Sequence, residues 1–180
     1  MASPASSLSR YPSLTAEARR VRASIESSRN SAIGRPVLAS MANGNDYNQR
    51  IIDEFRANGG KVGGEWDGYH LLLLHSTGAK TGQPRQTLLG YIPDGDNAWL
   101  ITASFGGNAK NPAWYHNLAA HPDQAEIEIR DRKVKVTASQ LTGQEREAAW
   151  QRFVATNSRY GGYPAKTDRV IPVIRLTATD

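Results

Sequence analysis

The chain contains no cysteine. Disulfides, thiolate metal sites and a cysteine nucleophile are therefore excluded, and a reducing compartment is permitted. No apolar run approaches the ~20 residues of a membrane helix, so a soluble protein with no integral membrane segment is expected. A charge excess is also missing from most of the chain. The formal net charge is +5 over 180 residues, and residues 1–40 alone hold six Arg against two Glu, or +4, leaving +1 for residues 41–180. A near-neutral body lacks the broad basic footprint that neutralises a run of phosphates, which argues against a nucleic-acid partner.

Several catalytic patterns are absent as well. No Gly-X-Ser-X-Gly nucleophile elbow surrounds Ser76 or Ser104. His116 and His121 are five apart on an expected helix, about 140° around its axis, too far for one metal. His70 and His75 are also five apart and fall on opposite faces of an expected strand, so no metal site is assigned. The turn Gly78–Arg85 lacks the glycine five residues before a Gly-Lys pair that a nucleotide P-loop requires, and a strand rather than a helix follows it.

Residues 1–40 form a Ser/Arg-rich extension and residues 41–180 the expected single domain. Leu14, Ala18, Val21 and Ile25 fall at helical spacing, so the extension reads as a flexible tail or as an amphipathic targeting segment, with Met41 as an alternative native start. A cytoplasmic protein is expected, the tail leaving organelle targeting or peripheral membrane association open. Nothing in the sequence specifies an oligomeric state.

What is present is organised around Leu71–Asn117. The apolar run Leu71–Leu74 reads as a buried strand, stopped by Gly78, Gly82 and Pro84. The turn that follows, with Lys80, Thr81 and Arg85 among its glycines, offers backbone N–H groups, a hydroxyl and two cations. That is either an anion site or a solvated turn. Residues 86–92 and 97–104 read as two strands joined by a hairpin turn at Pro93-Asp94-Gly95-Asp96. Asn111-Pro112 reads as the cap and first position of a helix reaching His121.

Upstream, Asp46 and Gln49 look like a capping pair for a helix that turns Tyr47, Ile51, Ile52 and Phe55 to one face, and residues 61–68 read as a loop at the edge of the site. Downstream, residues 124–130 and 133–141 alternate as a two-stranded ribbon whose charges are read as solvated. Thr142-Gly143-Gln144-Glu145 reads as a capping box for a helix with Ala149, Trp150, Phe153 and Val154 inward, and residues 171–176 as the last strand. Trp66, Trp114, Tyr115, Tyr160 and Tyr163 are candidates to wall a planar ligand or to pack the core.

Residues 77–85 (TGAKTGQPR), 103–107 (ASFGG) and 111–118 (NPAWYHNL) resemble, in that order, the deazaflavin-dependent nitroreductase and quinone reductase family that uses coenzyme F420. The resemblance spans about residues 45–177. It implies an α+β split β-barrel of the FMN-binding type, mainly antiparallel, with flanking helices. It also implies hydride transfer from reduced F420 to a small planar acceptor such as a quinone, a nitroaromatic or an activated double bond. Carried over by position, Lys80, Thr81, Gly82 and Arg85 would hold the cofactor's phosphate and acidic tail. Leu88, Leu89, Thr102, Ala103, Ser104, Asn111, Pro112, Ala113 and Trp114 would border its ring, and Tyr160, Tyr163 and Ser104 would serve the chemistry.

This chain has Ala79 and Phe105 where relatives often carry basic residues. An FMN-dependent reductase on the same barrel, and a binding protein that holds the cofactor or a small aromatic without turnover, are the alternatives. Phe105 would then stack on a ring or narrow the pocket.

Overall fold

The computed structural model describes residues 42–179. The helical spacing between Leu14 and Ile25 and the alternative start at Met41 lie outside those residues. Among the described residues, three α-helices surround a seven-stranded sheet. They are α1 (Ala42–Ala57), α2 (Ala113–Ala120) and α3 (Gly143–Thr156). The strands are β1 (Leu71–Thr77), β2 (Pro84–Gly90), β3 (Ile92–Pro93), β4 (Ala98–Thr102), β5 (Ala125–Ile129), β6 (Arg132–Gln140) and β7 (Val173–Ala178). Their order is β2-β1-β5-β6-β7-β4-β3, and every ladder is antiparallel.

The two ends of that order, β2 and β3, are separated in the chain by Tyr91 alone. The sheet therefore curls back on itself. Its inner face holds the main core, in which Leu72 and Leu74 of β1 meet Trp99, Ile101, Tyr115, Leu118 and Ile127. Leu71 and Leu73 point the other way, against Ile52 and Phe55 of α1. A strand covered on both faces needs no polar alternation, which explains the unbroken leucine run. A third cluster packs Ala149, Trp150 and Phe153 of α3 against Leu100, Ile171 and Val173.

Several elements differ locally from what the sequence pattern suggests. α1 begins at Ala42, so Asp46 lies inside the helix rather than at its cap, and Gln49 Nε2 donates to Asp53 Oδ1 at 2.9 Å. Tyr47 is exposed and its hydroxyl donates to Glu65 Oε1 at 2.8 Å. Thr142 is the N-cap of α3, but its side chain makes no cap bond, and Glu145 instead accepts from Arg175 Nη1 at 2.7 Å. Pro84 and Arg85 belong to β2, paired with Thr77 and Ser76, so the turn proper shrinks to 78–83. The following strand is broken at Tyr91 into β2 and β3.

The ribbon charges are not all solvated. Glu128 is 8% exposed, and it accepts from Arg56 Nε at 2.9 Å and Nη2 at 2.6 Å while bonding His75 Nε2 at 2.7 Å. Those contacts hold its carboxyl down at about 2, the Arg56 hydrogen bonds being the largest cause. A carboxylate buried beneath α1 is tolerated because a forked cation and an imidazole replace its water.

Candidate active site

The barrel is open along one seam. β3 pairs with β4 through Ile92 with Leu100. Continued along both strands, that register would set Gly90 opposite Thr102 and Leu88 opposite Ser104, but among the described residues β2 pairs with β1 only. The Tyr91 N–H donates to the His70 carbonyl at 2.9 Å. Because antiparallel pairs alternate, Leu89 and Thr87 turn their backbone groups to β1, and those of Leu88 and Gly90 face the seam. An unpaired strand edge is a row of donors and acceptors for a planar heterocycle.

The seam widens into a cleft of about 520 Å³. Thr87, Leu88, Leu89 and Gly90 form one wall, and Thr102, Ser104, Phe105 and Gly106 the opposite one. Pro112, Ala113 and Trp114, at the start of α2, close one side, and Trp66, Tyr69, Tyr160 and Tyr163 supply aromatic surface. The loop read at residues 61–68 delivers Glu65 and Trp66 to the rim through a short 3₁₀ turn, Gly64–Trp66.

Tyr160 and Tyr163 belong to the segment that follows α3. They sit in consecutive 3₁₀ turns, Ser158–Gly162 and Pro164–Lys166, with Tyr163 at the junction. The Tyr160 ring packs 5.3 Å from Phe153, 5.6 Å from Tyr163 and 6.2 Å from Trp150, measured between centroids. Burial pushes its phenol up to about 12, with Tyr69 and Tyr163 adding to the effect, so it stays a neutral donor across the physiological range. Gly90 lies directly in front of it: a Cβ there would sit in van der Waals contact with the Tyr160 hydroxyl at 3.4 Å and Tyr69 Cδ1 at 3.5 Å.

Of the residues singled out in the sequence, Leu88, Leu89, Thr102, Ser104, Pro112, Ala113, Trp114, Tyr160 and Tyr163 come together here. Ala103 does not line the cleft, being fully buried with its N–H on the Pro172 carbonyl. Asn111 is not the helix cap: that position is Pro112, and Asn111 Oδ1 accepts from Arg169 Nη1 at 2.7 Å. Thr87, Gly90 and Tyr69 were not foreseen. The first two flank Leu88-Leu89 on one strand edge, a signal that the sequence does contain.

Lys80, Thr81, Gly82 and Arg85 are exposed and lie beyond the cleft lining, at the other end of β2. Arg85 is three residues from Leu88, roughly 10 Å at strand rise. The turn is preset by Gly78 N–H to Gln83 O and Gly82 N–H to Gly78 O, both 2.8 Å. A Cβ on Gly78 would fall 2.7 Å from Thr81 Oγ1. Asn117 of α2 fastens the turn from below, accepting the Ala79 N–H at 2.9 Å and donating to Ser76 Oγ at 3.3 Å.

An aromatic slot at a strand edge, joined by one strand to a pair of exposed cations, defines the class: a split barrel suited to a flat ring carrying an anionic tail. The donor set fits a deazaflavin, whose ring would meet the Leu88 and Gly90 backbone and whose phosphate would meet Lys80 and Arg85. A family model described as F420H(2)-dependent quinone reductase matches residues 48–178, and the chain belongs to that family. An F420H(2)-dependent quinone reductase of Mycobacterium tuberculosis is 45% identical over 127 residues, 68% of this chain and 84% of that protein. A solved F420-H2 dependent reductase (FDR-A) superposes with a TM-score of 0.54 at 35% identity, covering 59% of this chain and 93% of that one. A structure described as a domain-swapped dimer gives 0.56 at 30% identity, covering 76% and 99%.

Proposed function

We propose that this chain catalyses hydride transfer from reduced F420 to a small planar acceptor, a quinone first among them. The observation that carries the reading is the unpaired seam between β2 and β4, which opens into an aromatic cleft and runs along β2 to the cationic turn. The bound cofactor would supply the hydride. The chain supplies position, electrostatics and exclusion of water.

In this reading Lys80 and Arg85, with the turn amides and the Thr81 hydroxyl, hold the phosphate and acidic tail. Gly82, at φ +67° with nothing within 4 Å of a built Cβ, lets the backbone approach closely. Leu88, Leu89, Thr102, Ser104, Pro112, Ala113 and Trp114 border the ring, while Ala103 and Asn111 act behind that wall. Tyr160 keeps its proton to well above neutral pH and offers the O–H to the acceptor oxygen as negative charge develops there. Tyr163 walls the acceptor. Ser104 offers a second hydroxyl at the same wall.

The test is anaerobic steady-state oxidation by a quinone, with reduced F420 and reduced FMN in parallel arms. Multiple turnovers with F420 only support the proposal. Turnover with FMN only transfers the site to the flavin, and stoichiometric complex formation without turnover makes the chain a binding protein.

A further inference from the structure

Arg169 differs from the arginines that tie the sheet and helices together through ion pairs. Arg56, Arg152 and Arg175 meet carboxylates, at Glu128, at Asp94, and at Asp94 and Glu145. Arg169 is half-buried and pairs with no carboxylate among the described residues. It spends four hydrogen bonds on one short stretch of chain instead. Nη2 donates to the carbonyls of Ala103 and Ser104, both at 2.9 Å, Nε to the Asn108 carbonyl at 2.8 Å, and Nη1 to Asn111 Oδ1 at 2.7 Å.

Between those anchor points lies the wall of the cleft. Phe105 has φ +46°, Gly106 +63° and Gly107 +85°, three consecutive residues in the left-handed region. For a bulky side chain such as phenylalanine that conformation is unfavourable and persists only where its surroundings impose it. Phe105 is also 57% exposed on the rim of the cleft, so no packing of its own ring holds it there. Gly107 is pinned from the other side, where a Cβ would fall 2.9 Å from Lys166 Cβ and 3.1 Å from the Tyr163 carbonyl. The turn closes on itself through Gly107 N–H to the Ser104 carbonyl at 2.9 Å and Asn108 N–H to the Phe105 carbonyl at 3.0 Å, and the Arg169 fork ties the carbonyls before it and the chain after it to the segment that precedes β7.

We infer that Arg169 is a positioning residue which holds the 104–108 turn, with Phe105 in its strained conformation, as a preset wall of the cofactor cleft. The planar fork is required, because an ammonium is a point donor and cannot reach four acceptors spread over residues 103–111. The link to cofactor binding rests on the cleft being the F420 site. The holding of the turn does not.

The experiment compares wild type, Arg169→Ala and Arg169→Lys by hydrogen–deuterium exchange without ligand and by F420 fluorescence titration. The expected result is at least tenfold faster exchange confined to residues 104–111 in both variants, with β5 and β6 unchanged, and F420 binding at least tenfold weaker. Guanidinium at millimolar concentration should restore both in the Ala variant, entering through the separate cavity of about 330 Å³ that Arg169 lines, while urea should not. Unchanged exchange at 104–111, or a uniform rise across the sheet, overturns the holding role. Locally faster exchange with unchanged F420 affinity overturns the link to the site. A wild type that fails to bind F420 sinks the reading of the cleft, and the exchange data then decide the holding role on their own.

Discussion

Asn117 Oδ1 accepts the Ala79 N–H at 2.9 Å, so the helix whose first turn lines the cleft also fastens the cationic turn. One buried side chain thereby fixes the distance between the two halves of the site. Replacing Asn117 by Leu strands the Ala79 N–H and the Ser76 hydroxyl, at about 1–3 kcal/mol. Thermal melts should fall accordingly, and F420 titration should show weaker binding. Unchanged affinity would separate the turn from the cofactor.

Lys80→Ala and Arg85→Ala each remove one exposed cation from the end of β2. A charge-assisted contact contributes on the order of 1.5–3 kcal/mol, so binding should weaken roughly tenfold to a hundredfold with the fold intact. Added salt should weaken the wild type more than either variant. Identical titration curves in all three proteins would remove the phosphate from this turn.

Tyr160→Phe should slow single-turnover quinone reduction on the order of a hundredfold, the size of one lost oxyanion donor, while F420 affinity stays near the wild-type value. With the phenol at about 12, the rate should show no titration from this group between pH 6 and roughly 10. Wild-type rates in both Tyr160→Phe and Tyr163→Phe would make solvent the acid.

Glu128 ties stability to pH. Its carboxyl lies at about 2 in the folded chain against an ordinary 4.5. The depressed value means the contribution is present in full above about 4.5 and is lost as pH falls toward 2, up to about 3 kcal/mol in all. Chemical denaturation at several pH values should show a steeper fall in the wild type than in Glu128→Gln, which starts lower at neutral pH and keeps only the fall due to other depressed carboxylates such as Asp94. Parallel curves for the two would mean that the Arg56 and His75 contacts are not maintained in solution.

The cleft lining runs from Glu65 to Tyr163, and the remaining described elements only support it. A chain of residues 41–180 should therefore fold, bind F420 and turn over. Loss of melting temperature or affinity on removing residues 1–40 would assign the extension a structural role.

The sequence displayed the elements well where period and punctuation agreed, as in the leucine run of β1, the turns at Gly78 and Gly95, and the inward face of α3. Contacts between side chains distant in sequence were not visible there. Asn111 looks like a helix cap beside Pro112, but Arg169, 58 positions away, takes its side chain. Glu145 fits a capping box until Arg175 of β7 competes for it, and Glu128 alternates like a surface residue until α1 covers it. The seam itself could not be read, because it depends on β2 failing to pair with β4, and failure to pair leaves no mark in composition. The catalytic-site assignments came from the family resemblance and from motifs near Lys80 and Asn111. Thr87 and Gly90 flank Leu88-Leu89 in the sequence, whereas Tyr69 reaches the same cleft only through the fold.

The most direct test is an anaerobic titration of the wild-type chain and of Ser104→Trp, whose indole would fill the seam, with reduced F420 and with FMN in parallel. The wild type should saturate with one equivalent of F420 and bind FMN far more weakly, while Ser104→Trp keeps its melting temperature and loses F420. Wild-type affinity in the filled variant, or preference for FMN, would contradict the assignment of the seam to F420.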